Sequence, residues 1–372
     1  MRRRIAMLIA ALLLVAAVTA CSAGGGSNAG NAPAGGAQQN PAAPAAASQS
    51  AAPAAEEKKI PEGKLTVYVG FQEDHAVAAM KKFTEETGIP AEMTRMSAGE
   101  ILAKVRAEKD NPQADIWYGG PADTFVAAVK ENLLAPYKSP VAEVIAPKFK
   151  DPDGYWTGIY VGAIGFASNK EFLEKNQLEP PTKWEDLLNP KLKGQIVMAN
   201  PASSGTAYTA LYTILNVMGG EEPGFEFLKK LHQQVQQYTT SGSAPGRMVG
   251  MGEAGVGILF AHDVIKYQQE GFDNLILTIP SDGTGYETGA VAIINNSKNH
   301  ELAKYFIDWA LGVSAQELGQ TVGSYQNLTN PNAKEPELAV KLSEINLIDY
   351  DPFAAGEARQ RLLDRWNSEV NK

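Results

Sequence analysis

Two short stretches of this chain concentrate small hydroxyl residues and glycine in the pattern an oxyanion site requires. Asn200, Pro201, Ala202, Ser203, Ser204, Gly205 and Thr206 lie between an apolar run and a long helical pattern. A helix start leaves backbone N–H groups unpaired and carries a partial positive charge, so anions settle there. Ser204 and Thr206 add hydroxyl donors, and Gly205 lets a ligand approach the backbone. The same residues also suit plain capping of the helix by Ser204. A second loop, Thr239, Thr240, Ser241, Gly242 and Ser243, precedes a helical pattern from Ala244 to Met251. It reads as another anion loop or as a polar turn. Carboxylates and an imidazole form a third group, because Ala261, His262 and Asp263 directly follow the apolar run 256–260. In open α/β sheets ligands sit beyond the carboxyl ends of strands. There His262 and Asp263 suit sugar hydroxyls or an amine; alternatively Asp263 caps a helix and His262 is structural. Glu287, in the glycine-rich approach 281–290, faces either a cleft or solvent.

Signatures of covalent chemistry fail on context. Gly250, Met251, Gly252, Glu253, Ala254 and Gly255 spell a dinucleotide-type string, but it precedes a strand where such a site needs strand, turn and helix. No phosphate-loop string or nucleophile-elbow motif occurs. His75, His232, His262 and His300 lack close metal-ligand spacing. The expectation is a binding protein and not an enzyme, with no cofactor and no metal site.

These groups need a frame. From Ile60 onward, short β-branched runs alternate with helical patterns, which predicts α/β layers. Strands are expected at 65–69, 115–118, 195–199, 256–260, 275–279 and 290–294, with an extended, glycine-interrupted stretch at 155–168. Helices are expected at 74–86, ended by Gly88, around Ile101, Leu102 and Val105, and briefly at 184–188. Further helices are expected at 204–218, 225–236, 302–311, 336–342 and 355–370. Pro336 suits a first helical position. Gly119, Gly120 and Pro121 read as a turn. There is no internal repeat.

The N-terminus carries an address. Arg2, Arg3 and Arg4 precede an uncharged, mostly apolar run from Ile5 to Ala20, and then Val18, Thr19, Ala20 and Cys21. That is the layout of a secretory signal over 1–20 with a lipobox. Cys21 is the only cysteine, so no intramolecular disulfide forms, and its place reads as a lipid acceptor. Residues 21–59 are rich in Ala, Pro, Gly and Ser and read as a flexible tether. The expected location is the outer face of the cytoplasmic membrane, at the cell surface or in the periplasm. The formal charge of −9 argues against nucleic acid, whose binding rests on Lys and Arg at phosphates.

From about Lys64 to Leu318 the chain resembles the extracellular solute-binding proteins of the iron, phosphonate and sugar-phosphate importers. The resemblance rests on Leu65, Thr66, Val67 and Tyr68 with Glu85 to Ile89, and on Asn111 to Ile116. It continues through Trp184 to Pro190 with Lys193 and Gly194, then Asn200, Pro201 and Ser203 to Thr206. Glu253 with Val256 and Gly257, and Ala303 to Trp309, complete it. It implies the type II periplasmic-binding-protein fold: two α/β lobes, each a mixed sheet flanked by helices, joined by two crossover hinge segments near 157–166 and 286–294. The implied divisions are 60–160 for lobe 1, 161–287 for lobe 2, and 288–372 for a return to lobe 1 whose final helices can pack on lobe 2. Closure of the lobes traps the solute, and a membrane ABC permease reads the closed form of a monomer.

The solute class follows from the same resemblance. Iron-binding members carry adjacent tyrosines where this chain has Ala261, His262 and Asp263. Hexose-phosphate-binding members are similar to this chain in having His and Asp there and a Glu where Glu287 stands. The resemblance implies a phosphate pocket from Ser204, Gly205, Thr206, Ser241, Gly242 and Ser243, with Ser97, Gly119 and Gly120 from the first lobe. His262, Asp263 and Glu287 would take the polyol. A ligand of this kind is a small anionic solute, best a hexose phosphate; an aminoalkylphosphonate or ferric ion are the rivals, and a sensor for a membrane histidine kinase would look the same.

Overall fold

The computed structural model describes residues 62–372. The signal segment, Cys21 and the tether lie outside the described residues. The strands are β1 (Leu65–Val69), β2 (Ala91–Arg95), β3 (Ile116–Pro121), β4 (Leu134–Ala135), β5 (Thr157–Asn169), β6 (Ile196–Ala199), β7 (Val235–Thr239), β8 (Val256–Phe260), β9 (Leu275–Thr278), β10 (Tyr286–Ile294) and β11 (Asn327–Leu328). The helices are α1 (Glu73–Thr87), α2 (Ala98–Ala107), α3 (Ala122–Lys130), α4 (Lys170–Asn176), α5 (Gly205–Val217), α6 (Glu221–His232), α7 (Ala244–Gly250), α8 (Ala261–Gln269), α9 (His300–Leu311), α10 (Val313–Gln316) and α11 (Pro352–Arg365).

The strands run β2-β1-β3-β10-β5-β8-β6-β7, and β5 is the hinge between two mixed sheets. Its first half, Thr157 to Ala163, pairs antiparallel with β10, whereas Ile164 to Asn169 pairs with β8 and β9. All thirteen residues of β5 are buried. On one side β1 pairs parallel with β2 and β3. On the other, β6 pairs parallel with β7 and β8. Each sheet has its own apolar packing. Leu65, Val67, Ile116 and Phe306 pack together under the first. Ile196, Ile258, Phe225 and Leu211 pack under the second, and α11 adds Ala355 and Leu362 to that core, with Trp366 directly after it.

Local chemistry explains most boundaries. Glu73 and Asp74 favour the positive start of α1, and Gly88 ends it in the left-handed conformation with φ 74°. Glu100 accepts the Ser97 N–H at 2.9 Å at the start of α2. Asp351 accepts the N–H groups of Phe353 and Ala354 at the start of α11, with Pro352 at its first position.

Three expectations are corrected. Residues 336–342 form no α-helix; only a 3₁₀ turn, Leu342–Glu344, follows them. Leu338 is 43% exposed, so its apolar spacing meets no core. The helix expected at 225–236 starts and stops earlier, because residues 235–239 join the parallel edge as β7. Gly119, Gly120 and Pro121 are the end of β3 and lead straight into α3, not a free turn.

Candidate functional site

The loop and helix starts meet in one cleft between the two sheets. Ser97, Ser204, Gly205, Thr206, Gly242, Ser243, His262, Asp263 and Glu287 all line it. Ser204 is the N-cap of α5 and its Oγ accepts the Ala207 N–H at 3.3 Å, so capping and cleft lining coexist in one residue. The loop before α7 presses onto this helix start. A side chain at Gly242 would collide with Thr206 Oγ1 and Ser204 Oγ, so only glycine lets the two loops converge. From the first sheet, Ser97 Oγ donates to the Thr240 carbonyl at 3.2 Å and Gly99 N–H to the Ser203 carbonyl at 3.0 Å.

Ser241 stands just behind the wall, and it identifies a residue that sequence reasoning missed. Arg95, the last residue of β2, donates Nε to the Phe71 carbonyl at 2.9 Å and turns Nη2 toward Ser241 Oγ at 3.5 Å. Among the described residues that line the cleft, Arg95 is the one permanent cation. Gly119 and Gly120 are not on the wall. Gly119 accepts Trp117 Nε1–H at 3.0 Å and Gly120 donates to Tyr160 Oη at 3.1 Å. The following Pro121 and Tyr160 itself face the cleft instead.

The opposite end is acidic and aromatic. β8 ends at Phe260 and α8 begins at once, so His262 and Asp263 stand in its first turn. The His262 ring stacks on Phe260 with 5.3 Å between centroids. It fits because β5 passes beneath as Gly162; a methyl there would lie 2.5 Å from His262 Nδ1. Glu287 is the second residue of β10, buried to 3% exposure. Gln72, at the start of α1, donates its amide to Asp263 across the cleft. Gln72, Phe71 and Gln326 also line the wall, and none carried a sequence signal beyond polarity or aromaticity.

A family model described as bacterial extracellular solute-binding protein matches residues 111–350. The chain belongs to this family. As such it is a solute-binding protein of the ABC importers, extracellular or periplasmic, and it binds its solute without converting it. An uncharacterized protein of Haemophilus influenzae strain Rd is 40% identical over 83% of this chain and 91% of its own length. The structure of the periplasmic binding protein AfuA from Actinobacillus pleuropneumoniae, with exogenous fructose-6-phosphate bound, superposes with a TM-score of 0.81. It is 40% identical and covers 84% of this chain and 99% of AfuA. The periplasmic binding protein P5PA superposes with a TM-score of 0.80 at 37% identity, over 83% of this chain and all of P5PA. The periplasmic-binding-protein fold is therefore shared along nearly the whole described part.

In this solute-binding protein the two ends of the cleft differ in charge. Arg95 and the starts of α2 and α5 make one end positive. At the other, burial pushes the Glu287 carboxyl well above its ordinary range, and Asp263 and Asp123 add to the push. Burial pushes the His262 imidazole down, against a smaller upward pull from Asp263. Burial likewise raises the Tyr160 phenol. Burial thus favours the protonated Glu287 carboxyl, which donates as well as accepts, and the neutral His262 ring with one nitrogen of each kind. Among the described residues, Glu287 makes no ion pair and no cluster of three or more His, Cys, Asp and Glu stands as metal ligands do.

The space left between the cleft walls is small. The cavity volume is about 40 Å³, room for a few waters. A solute of sugar size needs Gln72 to leave Asp263 and the walls to part.

Proposed function

We propose that this protein captures a hexose phosphate in the cleft and presents it to an ABC permease. The observation that carries the reading is the polarity of the cleft, with a guanidinium and hydroxyl-bearing helix starts facing His262, Asp263 and Glu287. The phosphate would lie against Arg95, Ser97, Ser204, Gly205, Thr206, Gly242 and Ser243, with Ser241 steadying the guanidinium. The sugar hydroxyls would meet His262, Asp263, Glu287 and Gln72. A relative with fructose-6-phosphate bound supports the same class. The two lobes would divide as 60–160, 161–287 and a return over 288–372, with α11 on the second lobe. Closure around the solute would shift the population to the form the permease reads. Cys21, by its lipobox, would carry the lipid that holds the protein at the membrane.

The test is a binding panel on the purified protein by calorimetry and melting. Fructose 6-phosphate and glucose 6-phosphate should raise Tm, whereas free fructose and inorganic phosphate should do so only weakly. A ligand at about a hundred times its Kd adds about 2.7 kcal/mol to stability. A shift with 2-aminoethylphosphonate or ferric ion and none with sugar phosphates would refute the reading. The carboxylates are what favours an ammonium-bearing phosphonate as the second reading. For the anchor, Cys21→Ser should abolish incorporation of labelled fatty acid in cells; unchanged labelling would remove the lipid claim.

A further inference from the structure

Beyond the cleft wall, the two cores are joined by a charge pair sealed from solvent. Asp123 stands in the first turn of α3, two residues after cleft-lining Pro121. α3 packs Phe125 and Ala128 with Trp117 and Ala290, on the side of the first sheet. Arg359 belongs to α11, whose Ala355 and Leu362 pack in the second core. Arg359 Nη1 donates to Asp123 Oδ1 at 3.0 Å, and Tyr350 Oη donates to Asp123 Oδ2 at 3.0 Å. The guanidinium lies 4.2 Å over the ring of Tyr208, whose hydroxyl donates to the Ala355 carbonyl at 2.6 Å. Tyr208 is in the first turn of α5, the helix whose start lines the phosphate end. Asp123 is 0%, Arg359 2% and Tyr350 4% exposed.

We propose that Asp123 and Arg359 are a positioning pair that locks the starts of α3 and α5 against each other and thereby sets the closed-state population and the solute affinity. Neither residue touches the cleft. Separating the lobes by a rigid swing would strip a buried carboxylate of its partner, which a low-dielectric interior strongly resists. The pair therefore favours closure or fixes the pivot about which closure turns. Tyr350 and the Tyr208 ring hold the charges in one geometry, as a bidentate-capable, stacked arginine requires.

The inference rests on the closure reading, so its test has one arm that needs no solute. In the full chain with Cys21→Ser, spin labels at Val77→Cys and Met251→Cys, both exposed at about half, report the distance across the cleft. The double variant Asp123→Asn with Arg359→Met removes both charges together and leaves no lone buried ion. It should broaden the label distances in the solute-free protein and weaken fructose 6-phosphate about tenfold. Arg359→Lys, which keeps charge but not stacking, should fall between it and the wild type. Distances and affinity within twofold of wild type would make the pair merely structural and overturn the proposal. If the unmodified protein ignores sugar phosphates, the function reading fails, while the label distances still decide this one.

Discussion

Arg95 is restrained by its own side of the cleft, through the Phe71 carbonyl, and reaches a serine on the other. A guanidinium held in this way meets a phosphate with little further ordering cost. Charged hydrogen bonds are worth about 1.5–3 kcal/mol, so Arg95→Ala should weaken a sugar phosphate by about ten- to a hundredfold in calorimetry. Arg95→Lys should recover part of that loss, and equal affinity for all three proteins would remove Arg95 from the site. At the sugar end, Asp263→Ala should weaken the same ligand by about tenfold or more while Tm stays within about 2 °C; unchanged affinity would reduce Asp263 to a partner of Gln72. Glu287 makes a different prediction. Its folded pKa is raised, so the folded state holds a proton that the unfolded state releases, and its contribution to stability is lost as pH rises above the ordinary carboxyl value. Glu287→Gln should therefore gain stability over wild type progressively above about pH 4.5, read as the difference in Tm across pH; a constant difference would contradict a proton on Glu287. The lowered imidazoles act in the opposite sense. His75, pushed down to about 4 by burial and by Lys266 and His262, gives stability that is lost as pH falls from 6.5 toward 4. Type and place left His262, Asp263 and Glu287 open between structural and cleft roles, and the family resemblance is what pointed them to the cleft that they line. Arg95 was not, since a charge after Met93 and Thr94 reads as a solvated surface until the fold turns it inward.

The starts of α2 and α5, the loop before α7, the first turn of α8 and, for Glu287, the start of β10 deliver the proposed residues that line the cleft, while Ser241, Gly119 and Gly120 stand off its wall. Residues 256–260 were legible in full, because a buried run of Val, Gly, Ile, Leu and Phe ends sharply where His262 and Asp263 begin. β2 was not legible. It alternates half-buried with exposed residues, and Glu92 and Thr94 hide its apolar face. α3 was missed since almost its whole length is buried, which erases the polar stripe that marks a surface helix. The helix expected at 336–342 shows the reverse failure, an apolar spacing with nothing to pack on. Convergence of the two hydroxyl loops is the part no single element could reveal, and it hangs on Gly242. Gly242→Ala should force the loop away from Thr206 and Ser204, lowering sugar-phosphate affinity by more than tenfold with secondary structure intact by circular dichroism. Wild-type affinity in that variant would mean the loops need not touch to bind the anion.

Contacts between α1 and α8 also cross the cleft at its rim, where they bear on how far the solute-free protein opens. Lys266 on α8 is 7% exposed and reaches Asp74 of α1 at 3.0 Å and the Val322 carbonyl at 3.4 Å, while Glu270 on its own helix also takes it at 3.0 Å. This ammonium has its second carboxylate, Asp74, only while α1 and α8 stay together. With the lobes parted, Glu270 remains but Asp74 and the carbonyl are lost to it, so the closed form is favoured electrostatically at this rim. Gln72 and Asp263 add an amide hydrogen bond nearby, which a solute must break to enter. The two effects oppose each other in affinity. Removing the lysine by Lys266→Met, which keeps the stem's packing, should raise the open population. The radius of gyration from solution scattering should then increase without solute and return to the wild-type value when sugar phosphate saturates the cleft. Affinity should fall only a few-fold, because the solute must supply the closing free energy that the ammonium no longer gives. Removing the amide by Gln72→Ala should do the reverse at the site, easing entry by freeing Asp263 while leaving the rim clasp in place. If Lys266→Met leaves both the radius and the affinity unchanged, the rim pair follows closure and does not drive it, and the balance must lie with the contacts at the phosphate end.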